Sequence, residues 1–222
     1  MREIFRAYRK FFVIIGLMSL LIIILFYNAL KPQKTLKIYS PSDVNPELVD
    51  SLVEHIKINH KIADWSFTNQ NEKIVTHQDY EGKIYVADFF FTTCPTICPI
   101  MTDNMVWLQE KIKEYPEVML LSHTVTPDID TPEVLKKYAL EKGVDDSKWN
   151  LVTGDKKDIY YIARQSYLAV KTGSLKELYD MVHTENFILV DKERRIRGFY
   201  DGTKMEDMER LLEDIKFLII ND

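Results

Sequence analysis

Residues 83–99 read KIYVADFFFTTCPTICP. Lys83–Phe91 is a near-continuous apolar run broken only by Asp88, the pattern of a strand buried on both faces. It passes directly into Cys94-Pro-Thr-Ile-Cys98-Pro99. Residues 99–114 (PIMTDNMVWLQEKIKE) then place Ile100, Met101, Met105, Leu108 and Ile112 at a helical period. A buried strand, a turn bearing two sulfurs and an amphipathic helix follow one another without a linker. The rest of the chain is read outward from this unit.

Downstream, Glu117–Thr126 (EVMLLSHTVT) predicts a second strand. Thr131 is placed as an N-cap, with Pro132 at the first helical position of a helix through Glu141. Leu151–Thr153 is a short strand, and Asp155 caps a helix expected to run to about Tyr167. Residues 184–191 and 194–200 read as two strands around a turn at Asp191–Glu193, and 204–220 as a closing amphipathic helix. Upstream, KIADWSF and KIVT flank the polar turn Thr68–Glu72 and predict a hairpin within 61–76. Alternating strands and helices, then two strands and a helix, predict an α/β domain over 59–222 with a thioredoxin-like sandwich fold.

The N-terminus is of another kind. From Phe11 to Leu30 there are 20 residues without a charge, FFVIIGLMSLLIIILFYNAL. At about 1.5 Å per residue they span roughly 30 Å, a bilayer's hydrocarbon core. A buried core helix would show a polar face, and this one offers only Gly16, Ser19 and Asn28. A cleaved signal peptide would need small residues at its cleavage site, where Tyr27 stands two before Ala29. The segment is therefore expected to stay as a single-pass anchor. Residues 1–10 form a basic cytoplasmic head, 11–30 the transmembrane helix, and 31–58 a tether with three prolines, a strand-like LKIY and a short helix over 46–56. Four basic residues precede the helix and two follow it, so residues 35–222 are expected outside the cytoplasm. The absence of a long Arg/Ser-rich leader favours a bacterial inner (cell) membrane, with the domain on the periplasmic side.

Charge follows the same division. Residues 1–34 hold six bases and one acid, a head of +5 on a body of −10, so the overall −5 describes neither. An acidic body argues against nucleic acid as a partner. At 46% hydrophobic and 28% charged, the 222-residue chain has the composition of a globular protein rather than a disordered one. Two cysteines are too few for a disulfide-stapled scaffold or a four-cysteine zinc module.

Those two cysteines sit four residues apart at a helix start, which brings their sulfurs to one side with Cβ atoms about 5–6 Å apart. This allows a disulfide after small adjustment, or two thiolates gripping one ion. A helix N-terminus favours the thiolate. A purely structural disulfide across three intervening residues would constrain the unfolded chain little. Soft thiolates suit Cu(I) or zinc, and a third ligand would come from His55, His60, His77, His123, His183 or a methionine. The residues alone thus lead to a redox dithiol or a soft-metal site.

Taken together, DFFFTTCPTICPIMTDNMVWLQ, TVTPDIDTPEVLKKYA, WNLVTGD and VHTENFILVDKERRIRGFYDGT resemble the Sco/SenC family over roughly residues 59–220. The resemblance implies a thioredoxin-like fold on one N-terminal membrane helix. It implies a copper chaperone, holding Cu(I) or Cu(II), for the CuA-bearing subunit of cytochrome c oxidase. Copper would then be bound by Cys94, Cys98 and His183, which lies 85 residues beyond Cys98 and just before a strand. Val182 and Thr184 flank this His where the family often has Asp and Ser or Thr. The alternative is a thiol–disulfide oxidoreductase that reduces the oxidase subunit's cysteines before metallation, using Cys94 and Cys98 with Asp88 as a candidate to assist them. A thiol peroxidase lacks its PxxxTxxC pattern here.

The remaining candidates are read more plainly. Met101 and Met105 are expected to be core packing rather than sulfur donors. Asp128 and Asp130 are expected to shape the turn before the helix, with a docking role open for Asp128. His123 is expected to be a satisfied core or edge histidine, and His55, His60 and His77 to lie on the surface. Asp88 is either buried, with a raised pKa suited to proton exchange with the dithiol, or on an open sheet edge.

Overall fold

The computed structural model describes residues 8–30, 34–44, 59–169 and 185–221. It divides into two compact units, Met1–Thr35 and Leu36–Asp222. In the first, Arg9–Ala29 forms one helix, α1, whose described side chains are exposed along its length. It is long and apolar enough to be a candidate membrane span.

The second unit is built on a seven-stranded mixed sheet. Its strands are β1 (Ser66–Asn69), β2 (Ile74–Thr76), β3 (Ile84–Phe90), β4 (Val118–Thr124), β5 (Trp149–Thr153), β6 (Asn186–Val190) and β7 (Ile196–Asp201). They lie in the order β2-β1-β5-β4-β3-β6-β7. β5, β4 and β3 run parallel, while β6 and β7 extend the sheet antiparallel beyond β3. β3 is flanked on both edges and every residue in it is buried, which explains its unbroken apolar run.

The helices are α2 (Ile97–Lys111), α3 (Pro132–Lys142), α4 (Lys156–Tyr161) and α5 (Met205–Asn221). Thr131 Oγ1 accepts from Val134 N to open α3, and Gly143 closes it at φ 76°, a left-handed conformation that glycine adopts without a Cβ clash. Asp155 accepts from Lys157 N and Asp158 N at the start of α4. The two faces of β3 have different neighbours. Phe90 meets Tyr138 of α3, whereas Phe89 meets Tyr167.

Three local expectations change. The helix after Asp155 is α-helical only to Tyr161; Ile162–Ser166 form a π-helical turn that ends against Tyr167. The helix after the cysteines begins at Ile97, two residues before Pro99, because Pro at an early helical position loses no intrahelical bond. LKIY forms no strand, only an isolated bridge from Tyr39 to Ile196. Residues 36–44 instead lie along β7: Arg197 donates to Leu36 O and Lys37 O, and the Tyr39 ring sits edge-on to Phe199. The helix expected over 46–56 lies outside the described residues.

Candidate functional site

β3 ends at Phe90 and α2 begins at Ile97, so Cys94 sits in the connecting turn and Cys98 in the first turn of the helix. Thr96 is at the N-cap but its side chain caps nothing. The Cys94 sulfur takes that part, accepting from Cys98 N at 3.4 Å. This local geometry makes the two thiols unequal. Cys94 is partly exposed and Cys98 is buried, at 6% exposure. Burial works to raise Cys94, but the N–H groups of Cys98, Thr96 and Ile97 and the Cys98 thiol outweigh it and bring its pKa down to about 7. Burial pushes the Cys98 thiol up to about 12. One sulfur is poised to ionise at the surface, and the other waits behind it.

Asp88 is buried in the middle of the sheet rather than on an edge, because β6 covers the side of β3 that β4 leaves open. Ser122 Oγ, its partner across the β3–β4 register, donates to it and itself accepts from Trp149 Nε1 at 2.8 Å. Burial lifts the carboxyl to about 7, and the bond from Ser122 opposes that only in part.

Asp130 has a role beyond shaping a turn. It has no exposed surface. Its carboxylate accepts from Thr92 N, Thr92 Oγ1, Thr124 Oγ1 and Thr126 Oγ1. It ties the turn that carries Cys94 to the end of β4. The sequence signal for this was the set of threonines on the segments that flank Asp-Thr-Pro, which spacing alone does not single out. Asp128 is exposed, with Lys156 Nζ 3.9 Å away.

The methionines are core, as expected: Met101 and Met105 are buried in α2. The histidines differ more. His60 is buried, not on the surface, because its Nε2 bonds Ser166 O at 2.7 Å across 106 residues of sequence. His77 is half-buried, with Nε2 3.4 Å from Asp64. His123 is core but not satisfied: neither ring nitrogen has a hydrogen-bond partner among the described residues, and the rings of Trp65, Phe67, Phe89 and Tyr167 enclose it. His55 and His183 lie outside the described residues. Among those described, no cluster of three His, Cys, Asp or Glu side chains is arranged to hold a metal ion.

The family description SCO1/SenC matches residues 54–219, about three-quarters of the chain. The chain belongs to the Sco/SenC family. Solved Sco structures carry the same fold. A SCO1/SenC family lipoprotein from Bacillus anthracis str. Ames is 34% identical, with a TM-score of 0.65 over 73% of this chain and 96% of that one. BsSco, described with a disulfide switch and as a member of the Sco family of cytochrome c oxidase assembly proteins, is 32% identical, with a TM-score of 0.61 over 72% of this chain and 93% of that one. ScoI of Bradyrhizobium japonicum, solved with copper bound, is 25% identical, with a TM-score of 0.57 over 72% and 99%. The Sco fold is thioredoxin-like, and the Sco match here spans every strand of the seven-stranded sheet.

Proposed function

We propose that this protein is a membrane-anchored copper chaperone for assembly of the CuA centre of cytochrome c oxidase, with copper as its cargo. The observation that carries the reading is the unequal thiol pair at the start of α2. A surface sulfur near its ionised form and a second sulfur behind it make a soft donor pair, suited to copper rather than to hard cations. His183 supplies the third ligand. Three donors hold Cu(I) without closing the site, so the cargo can leave to the oxidase subunit. Residues 11–30 anchor the protein in the bacterial inner membrane, 1–10 stay in the cytoplasm, 31–58 act as the tether, and the Sco domain over 59–222 works on the periplasmic side. Membership of a family with oxidase-assembly and copper-bound members supports both the cargo and the destination.

The test is Cu(I) affinity of the reduced full chain in detergent, measured by competition with a chromophoric chelator. His183→Ala is expected to weaken binding at least tenfold, and Cys94→Ser or Cys98→Ser to weaken it further. Equal affinity in His183→Ala and wild type refutes the three-ligand site.

One set of observations favours a second reading, in which the pair reduces the cysteines of the oxidase subunit before metallation. Cys94 is the thiol able to attack, Cys98 the one able to resolve, and Asp88 a buried acid whose raised pKa suits it to exchange a proton with the pair. A His183→Ala variant that loses copper affinity but still supports oxidase assembly in cells selects this reading.

A further inference from the structure

Asp130 lies 32 residues beyond Cys98, in a different loop, yet its only described hydrogen-bonding partners link it to the turn that carries Cys94 and to the end of β4. Phe90 and Thr124 are paired across the sheet, and Val125 N continues that pairing to Phe90 O at 2.9 Å, so the two loops leave the sheet side by side. Asp130 fills the gap between them. All four of its partners donate: one N–H and three hydroxyls. Thr124 Oγ1 already accepts from Thr126 N at 3.1 Å, which leaves its proton for Asp130. The backbone is held as well, because Asp130 N and Ile129 N both donate to Thr126 O at 2.9 Å. Thr131, the next residue, caps α3. The carboxylate is thus fixed from its own loop and reaches across to grip the other by two bonds to one residue, Thr92. From Thr92 only Thr93 intervenes before Cys94, whose N–H turns back to Phe91 O at 3.3 Å.

We propose that Asp130 is the positioning residue of the dithiol: through Thr92 it holds the Cys94 turn so that the Cys94 sulfur stays against the start of α2, within reach of Cys98. An asparagine removes the charge and replaces one acceptor oxygen by an NH2 group, so the bonds to Thr92, Thr124 and Thr126 lose their charge assistance and at least one of these donors must turn or lose its acceptor. An alanine would free the turn altogether. Among the described residues the Thr96 side chain caps nothing, so it does not share this task. The proposal deepens the reading of Cys94 and Cys98 as a working pair and rests on it.

The test follows the equilibrium in which the two thiols and one glutathione disulfide give the Cys94–Cys98 disulfide and two reduced glutathione molecules. It is read on the full chain in detergent, by mass after trapping, across a series of glutathione ratios. Asp130→Asn and Asp130→Ala are expected to lower the equilibrium constant about tenfold, because a freed turn must be brought back before the sulfurs can join. Thr92→Val, which removes one of the two bonds and keeps the N–H, is expected to fall between them and wild type; it carries the test if either Asp130 variant fails to fold. Tyr200→Phe removes a buried bond of 2.7 Å to Asp214, between β7 and α5, that involves neither Asp130 nor Thr92. It is expected to lower the urea midpoint yet leave the equilibrium constant unchanged. Constants for the Asp130 and Thr92 variants equal to wild type, or a fall of the same size in Tyr200→Phe, overturn the proposal. Cu(I) binding measured on the same samples separates the two claims. If wild type binds no copper, the chaperone reading fails, while the glutathione equilibrium still decides the role of Asp130.

Discussion

Replacing His123 by phenylalanine should make the protein more stable, and increasingly so in acid. The imidazole has no exposed surface, both nitrogens lack a described partner, and burial drives its pKa from the ordinary 6.5 to about 3. Tyr167 is the titratable side chain among the four rings enclosing it, and its hydroxyl is engaged with Tyr85 at 3.1 Å. At neutral pH the phenyl ring removes two unpaired polar atoms from the core and keeps the stack on Phe89, a gain of about 1–2 kcal/mol. The pH term adds to this. A histidine whose folded pKa is depressed takes up its proton more readily when unfolded, so its cost begins as pH falls below 6.5 and is complete below 3. The whole window is worth about 5 kcal/mol, of which roughly 2–3 kcal/mol has accumulated by pH 4.5. Wild type alone conceals the effect. Asp88, raised to about 7, gains its proton first in the folded state and so adds stability as pH falls from 7 towards 3.8. The two groups oppose each other, and only the difference between variant and wild type isolates His123. The assay is urea unfolding of the full chain in detergent at pH 7 and 4.5, followed by tryptophan fluorescence. A gap between His123→Phe and wild type that does not widen in acid refutes the neutral, buried imidazole.

Asp88→Asn should slow thiol–disulfide exchange with a small disulfide several-fold while leaving Cu(I) affinity within about threefold, since the group is placed to move a proton rather than to bind. An unchanged exchange rate removes Asp88 from the reaction. Iodoacetamide at pH 7 should modify Cys94 at least a hundredfold faster than Cys98, read by alkylating Cys98→Ser and Cys94→Ser separately, because one thiol is about half ionised there and the other almost not at all. Comparable rates in the two variants contradict the assigned asymmetry.

Much of this was legible in the chain itself, for a local reason. Strand and helix periods, the Thr131 and Asp155 caps and the apolar run of α1 are set by neighbours within a few residues, so 83–99 announced a strand, a sulfur-bearing turn and a helix. The site was legible as far as its sulfurs, because both lie on one turn. Its surroundings were not. His60 has polar neighbours in sequence and is buried by Ser166, more than a hundred residues away. Asp88 looked equally suited to a core or an edge until β6, nearly a hundred residues later, covered the open side of β3. Asp130 reads as a turn residue in Asp-Thr-Pro, and its partners come from two loops that only the parallel pairing of β3 with β4 brings together.

The sequence by itself determined the long apolar N-terminal helix, the alternation of strands and helices, and the pair Cys94 and Cys98 at a helix start. Tertiary structure alone decided which carboxylates and imidazoles lose water, and therefore which of them change protonation and which hold the cysteine turn in place. Desolvation is imposed by residues far away in the chain, and it, more than residue type, sets the charge of a buried group.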